Sequence, residues 1–348
     1  MIKPDFMPIA IGSFPHENAD EALEIIFKYF KDIPLWPQLP KVSFKEQMYV
    51  QYSKGLPGLV INLINNTYYI QYDDAIYEKI AEFFEKSFEG SPEDYALEED
   101  AAAGFAEFLK QKERIKKLNP KAVKGHITGP LSLALGILDQ NKKPVIYHEE
   151  YFDAIAQLII KKSEYQIKKL KELNDNVIYF LDEPYLSSLG SGMLNLDKEK
   201  IKENLKNVIA KIKEFGVKIG IHCCGNTDWS FIMDLGADII SFDAYNYGED
   251  LLQFSQELKV FLEKGGMLAW GIVPSTKEFE AATFDGLIKK LYGLFGILAG
   301  RGFNIKDVLK KSFVSPSCGM GSLDEPLAES IAKMTIEISN HIKKEYGI

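Results

Sequence analysis

One histidine and two cysteines carry the most specific chemical signal in this 348-residue chain. His222 and Cys224 stand two residues apart at the end of an apolar run, Val217–His222. Alternate residues of a strand point to the same side, so His222 and Cys224 face one way and Cys223 the other. Cys318 follows another short apolar run, Phe313–Ser315, far along the chain. Imidazole plus two thiolates is a donor set for Zn2+, and a carboxylate completes the tetrahedron. Asp243, at the end of the next run, is the first candidate for that fourth ligand, and Glu183 is the second. The bland alternative is a core histidine with inert buried cysteines. Donors at several different strand ends favour zinc.

Asp182-Glu183-Pro184 places two carboxylates together. Three roles fit: holding a substrate ammonium, acid–base work, or metal ligation. The competing reading is a helix cap beside a solvated acid. His126 and His16 are candidate substrate contacts. His148 and His341 lie in helical patterns and read as surface residues.

The elements that must position these groups alternate along the chain. Strands are expected at Met7–Ile11, Leu59–Asn62, Ala122–Ile127, Val177–Leu181, Val217–His222, Ile239–Phe242, Met267–Gly271 and Phe313–Ser315. Apolar spacings of three and four predict helices at Asp20–Lys31, Tyr147–Leu173, Lys198–Phe215, Leu251–Glu263, Phe284–Ala299 and Leu327–Lys343. Eight strands alternating with helices predict a (β/α)8 TIM barrel filling one domain, residues 1–348. The connection after the second strand is too long for one helix. Residues 65–118 read as a helical insertion, with helices Asp74–Phe88 and Glu98–Lys117 around a Gly90–Pro92 break. Catalytic groups of such a barrel lie where the strands end. The polar residues above fall at those ends.

Composition narrows the function further. The net charge is −9, which argues against nucleic acid or an anionic membrane surface as partner. No apolar run approaches a membrane span. The first twenty residues lack the basic and long apolar regions of a signal peptide, so a cytoplasmic protein is expected. Three cysteines cannot make a disulfide framework. Arg114 and Arg301 are the only arginines, so a function needing several bidentate arginine clamps is poorly supplied.

Ile11-Gly12-Ser13-Phe14-Pro15, Thr128-Gly129-Pro130, Asp182-Glu183-Pro184, His222-x-Cys224 and Pro316-x-Cys318-Gly319 occur in this order. In that order they resemble the catalytic barrel of cobalamin-independent methionine synthases. The stretch His222–Thr227 also resembles the methylcobamide:coenzyme M methyltransferases of the uroporphyrinogen decarboxylase superfamily. The resemblance is a run of short motifs that covers most of the chain. It implies a zinc that binds a substrate thiol as thiolate, which then attacks a methyl group. It implies His222, Cys224 and Cys318 as ligands, with Asp243 where the family has Glu, a shorter side chain. It implies that Ile11, Gly12 and Ser13 hold the carboxylate of homocysteine and that Asp182 holds its amino group. Glu46 lies near the place of a further homocysteine-binding glutamate, but its surroundings do not match that motif.

The long methionine synthases carry an additional N-terminal barrel that helps bind a folate donor. This chain resembles a core-only form. The expected donor is therefore a methyl-corrinoid, free or on a corrinoid protein, as co-substrate beside the Zn2+ cofactor. Two alternatives stand. Coenzyme M as acceptor lacks the amino group that Asp182 would hold. A metal-free decarboxylase of the uroporphyrinogen type would need arginine clamps for its many carboxylates.

Overall fold

The computed structural model describes residues 2–189 and 195–348. Among the described residues there are eight strands: β1 Leu59–Asn62, β2 Thr67–Ile70, β3 Val123–Thr128, β4 Val177–Asp182, β5 Lys218–Cys223, β6 Ile239–Phe242, β7 Met267–Val273 and β8 Ser312–Pro316. The last six form one curled parallel sheet in sequence order, with helices between successive strands. These six lie within one or two residues of their expected positions. Their residues are buried almost throughout, as parallel strands covered on both faces must be.

The other two expected strands come out differently. Leu59–Asn62 is no part of this sheet; it pairs antiparallel with Thr67–Ile70 in a two-stranded hairpin. Met7–Ile11 lies beside β8 as expected, but it touches it through one bridge, Pro8 to Val314, and a few backbone bonds. The segment that lies beside β3 is 34–38, where Leu35 bridges to Lys124. This segment in turn meets the N-terminal one: Gln38 N donates to the Gly12 carbonyl at 3.1 Å, and Phe14 N to the Gln38 carbonyl at 2.9 Å. The reason for the irregularity is chemical. Pro8, Pro34, Pro37 and Pro40 have no N–H to give to a ladder. The sheet therefore has six regular strands, and hydrogen bonds run from β8 to β3 through two irregular segments.

Apolar side chains fill the sheet's inner face from below: Met7, Ile9, Ile33, Ile178, Phe180, Ile239, Met267 and Phe313 form one cluster. A larger cluster lies between sheet and helices. The insertion's Ile70, Ile76, Phe83, Phe105 and Phe108 belong to that same outer core, so the insertion packs on the sheet's helical layer. Its helices run Ile76–Glu89, Ala103–Lys110 and Lys112–Leu118, the expected second helix being split. Leu251–Glu263 is split too, into Ala244–Gln253 and Ser255–Glu263. No helix among the described residues is long and apolar enough to cross a membrane.

Candidate metal centre and acceptor cleft

The register of the central strands sets three polar side chains side by side. Asp182 pairs with His222, and His222 with Ser241. His222 is buried, and its Nδ1 lies 3.0 Å from Ser241 Oγ. Its Nε2 is buried with no hydrogen-bond partner. Cys224 leaves β5 two residues later, on the same side. Cys223 faces the opposite way, as alternation requires, and sits in the outer core with the helices.

Cys318 reaches the same point from β8. Ser317 anchors its loop: the backbone N donates to the Val273 carbonyl at 2.7 Å, and Oγ accepts from Ser275 N at 3.0 Å. Gly271 lets the two backbones approach. A Cβ there would stand 2.6 Å from the Phe242 carbonyl oxygen and 2.8 Å from Ser317 Cα. The donor atoms of His222, Cys224 and Cys318 consequently lie within 4.8 Å of one another.

The neighbouring Cys318 thiol, helped by His222, favours the ionised form of Cys224 and brings it down to about 4. Its neighbour Cys224 and burial push Cys318 far up. Both sulfurs lie within 4.8 Å of the His222 imidazole donor atom. These donors fit zinc, whose ligand set in such sites is thiolate and imidazole and whose catalytic forms take three protein donors.

Neither expected carboxylate joins them. Asp243 caps the helix Ala244–Gln253. Its Oδ1 accepts from Asn246 N and its Oδ2 from Asn246 Nδ2, both at 2.8 Å. Glu183 is fully buried and points to the start of the helix Pro130–Gly136. It accepts from Leu131 N at 3.0 Å, Ser132 N at 2.8 Å and Ser132 Oγ at 2.6 Å. Burial pushes its carboxyl up to about 7 against those three donors. Gly129 leaves the space, since a Cβ there would meet Glu183 Oε1 at 2.2 Å. Both carboxylates have been recruited by helix N-termini.

The three donors open into a cleft of about 480 Å³. Ile11, Ser13, His126 and Asp182 also line it, so four of the six substrate residues expected from the sequence reach one cavity. Gly12 stands just behind: a Cβ there would lie 3.0 Å from His126 Cε1. Ser13 is tied to the Cys318 loop, accepting from Gly321 N at 3.2 Å through Oγ and from Met320 N at 2.9 Å through its carbonyl. His126 stacks on Trp36 with ring centroids 4.0 Å apart. Neither of its buried ring nitrogens has a partner, and burial holds it neutral, with Lys124 adding to the effect. Asp182 Oδ1 is equally without a partner, and burial raises that carboxyl to about 6.

Other candidates lie elsewhere. His16 is buried but does not line the cleft, and Glu46 accepts from Leu39 N and Ala103 N, tying the insertion down. Arg114 pairs with Glu24 on the surface, and neither arginine lines the cleft. The wall that sequence reasoning missed is Gln38, Met48 and Tyr52. Its signal was the Pro34-x-x-Pro37-x-x-Pro40 run, which marks an extended segment without a regular ladder.

No protein-family model matches the chain, and no curated protein does. Solved structures do. A B12-independent methionine synthase from Shewanella sp. W3-18-1 is 14% identical over 68% of this chain and 67% of that one, with a TM-score of 0.48. A catalytic module of the pneumococcal exo-beta-D-N-acetylglucosaminidase StrH is 14% identical over 98% and 84%, at 0.51. A D-psicose 3-epimerase is 10% identical over 74% and 86%, at 0.39. The likeness is one of fold, a TIM-barrel-like α/β architecture that different enzymes share. The first and third superpose too loosely to bear on chemistry.

Proposed function

We propose that this protein is a zinc-dependent thiol methyltransferase that methylates homocysteine to methionine, with a methyl-corrinoid, free or protein-bound, as donor. The observation that carries the reading is the convergence of His222 Nε2, Cys224 and Cys318 at one wall of a cleft whose floor holds an unpartnered carboxylate. Three donors leave a fourth position for the acceptor's sulfur. Zinc bound there would supply the Lewis acidity that keeps that sulfur ionised at neutral pH, where a free thiol with a pKa of about 8.5 is mostly protonated.

The chain's own residues do the rest. Asp182 offers Oδ1 to the acceptor's ammonium, and a buried carboxylate without a partner favours a cation there. The Ile11–Ser13 segment, locked to the Cys318 loop, receives the carboxylate end. His126 is held neutral and offers one donor and one acceptor to the same head group. Ser241 holds His222 through Nδ1, which leaves Nε2 for the metal. With both ends fixed, the acceptor's sulfur would be oriented for in-line attack: a sulfur–carbon bond would form as the donor's bond to the methyl breaks, its electron pair leaving with the corrinoid. The cleft's volume suits an amino-acid thiol and leaves the corrin outside, at the mouth. Coenzyme M as acceptor would leave Asp182 facing no cation.

The deciding experiment is zinc content of anaerobically purified protein, wild type beside Cys318→Ser, with methylcobalamin and homocysteine as assay substrates. About one zinc per chain and methionine formation, both lost in the variant, are expected. Zinc and activity retained in Cys318→Ser, or no zinc uptake by reduced wild type, would overturn the assignment.

A further inference from the structure

Lys124 is the second residue of β3, with no exposed surface. It shares the inner face with His126 and Thr128, which line the cleft, so it stands beneath the cleft floor. Its strand partner is Ile178, a member of the apolar cluster that fills the inner face, and its Nζ lies 4.3 Å from the centroid of the Phe180 ring. Burying an ammonium there is expensive, and Lys124 has no carboxylate within ion-pair distance among the described residues. Burial brings it down to about 8, and Asp182 is the group that acts against this.

What Lys124 does touch is informative. Its Nζ donates to the carbonyl of Ile11. That carbonyl belongs to the peptide plane whose other end is the Gly12 N–H, and a trans peptide points the two in opposite directions. Fixing the Ile11 carbonyl from below therefore fixes where the Gly12 amide is aimed. Asp182 and His126, both with unpartnered atoms in the cleft, are the other polar groups in its field.

We propose that Lys124 is a positioning residue for acceptor selection: from under the floor it holds the Ile11–Gly12 peptide, and so fixes the subsite that reads the amino-acid head group of the thiol. It touches neither the acceptor nor the metal ligands. This rests on the methyl-acceptor reading above and adds the residue that makes the subsite rigid.

The test is Lys124→Met, which keeps most of the stem and removes the ammonium. Zinc-loaded protein is titrated by calorimetry with homocysteine and with 1-propanethiol, which has the same carbon chain and no head group. Zinc content and melting temperature are measured alongside. Expected are unchanged zinc, a melting temperature equal to or above wild type, and homocysteine binding weakened at least tenfold. Binding of 1-propanethiol should change less than threefold. A lysine with a merely structural role would lower the melting temperature and weaken both thiols equally, and that outcome overturns the proposal. So does a variant that keeps the full preference for homocysteine. A wild type that shows no preference between the two thiols overturns the acceptor reading itself, together with this one.

Discussion

Asp182→Asn should make the zinc-free, ligand-free protein more stable and its acceptor binding worse. Asp182 ends β4 with Oδ1 buried and unpartnered, and burial lifts its carboxyl from 3.8 to about 6, with His222 and Lys124 opposing. The folded state therefore holds the proton more tightly than the unfolded chain does. Between pH 3.8 and 6 folding loses stability as pH rises, and above 6 the full cost of the buried charge is in place. At about 1.4 kcal/mol per pH unit, that cost is about 3 kcal/mol. The residue as a whole is only half-buried, so solvent screening leaves about 1.5 kcal/mol. Asparagine carries no charge and should recover that amount at pH 8, about half of it at pH 5, and none below pH 3.8. The same change removes a charge-assisted bond to an ammonium, a loss of about 2 kcal/mol or roughly thirtyfold in homocysteine affinity. Urea unfolding of chelator-treated protein at pH 8 and pH 5 measures the first effect, and calorimetry on the zinc form measures the second. A variant less stable than wild type at pH 8, or a gain that does not change with pH, would refute the reasoning that this carboxylate is held charged at a cost and waits for a cation.

Two further outcomes separate the roles of neighbouring residues. Glu183→Ala should lower unfolding stability by at least about 2 kcal/mol, because Leu131 N, Ser132 N and Ser132 Oγ lose their buried acceptor. Zinc stoichiometry should not change; loss of the metal in a folded variant would make Glu183 a ligand after all. Gly319→Ala would put a methyl 2.2 Å from Ser13 Oγ and force the hydroxyl off Gly321 N. Turnover of homocysteine per KM should fall about tenfold to a hundredfold with zinc retained, and a fall of less than threefold would detach Ser13 from the acceptor site.

The six regular strands could be read from sequence because each is a short continuous apolar run bounded by polar residues and buried on both faces. The first two positions could not be read in that way. Leu59–Asn62 has the composition of a buried strand, but a turn and a second β-rich run, Thr67–Ile70, follow at once and take it into a hairpin. The segment that lies beside β3 instead, 34–38, is punctuated by prolines and looks like a loop. Proline forbids the ladder, not the position. Since this segment leads into Gln38, Met48 and Tyr52, misplacing it hid one wall of the cleft.

The site divides along the same line, between what is local and what is not. That His222 and Cys224 share a side follows from strand alternation alone, and Cys318 needs only the end of another strand. The fate of a carboxylate depends on which donors compete for it. Asp243 has its competitor three residues on, in Asn246, and the pattern of a capped helix start was there to be seen. Glu183 is claimed by Leu131 and Ser132, which only the pairing of β3 with β4 brings near. Lys124 lies still further from sequence reasoning, because a lysine in a strand is ordinarily a solvent-facing residue. Here it has been buried under the polar end of the sheet, where a charge is costly and hence informative. What it touches there is the Ile11 carbonyl, the contact from which its positioning role is inferred.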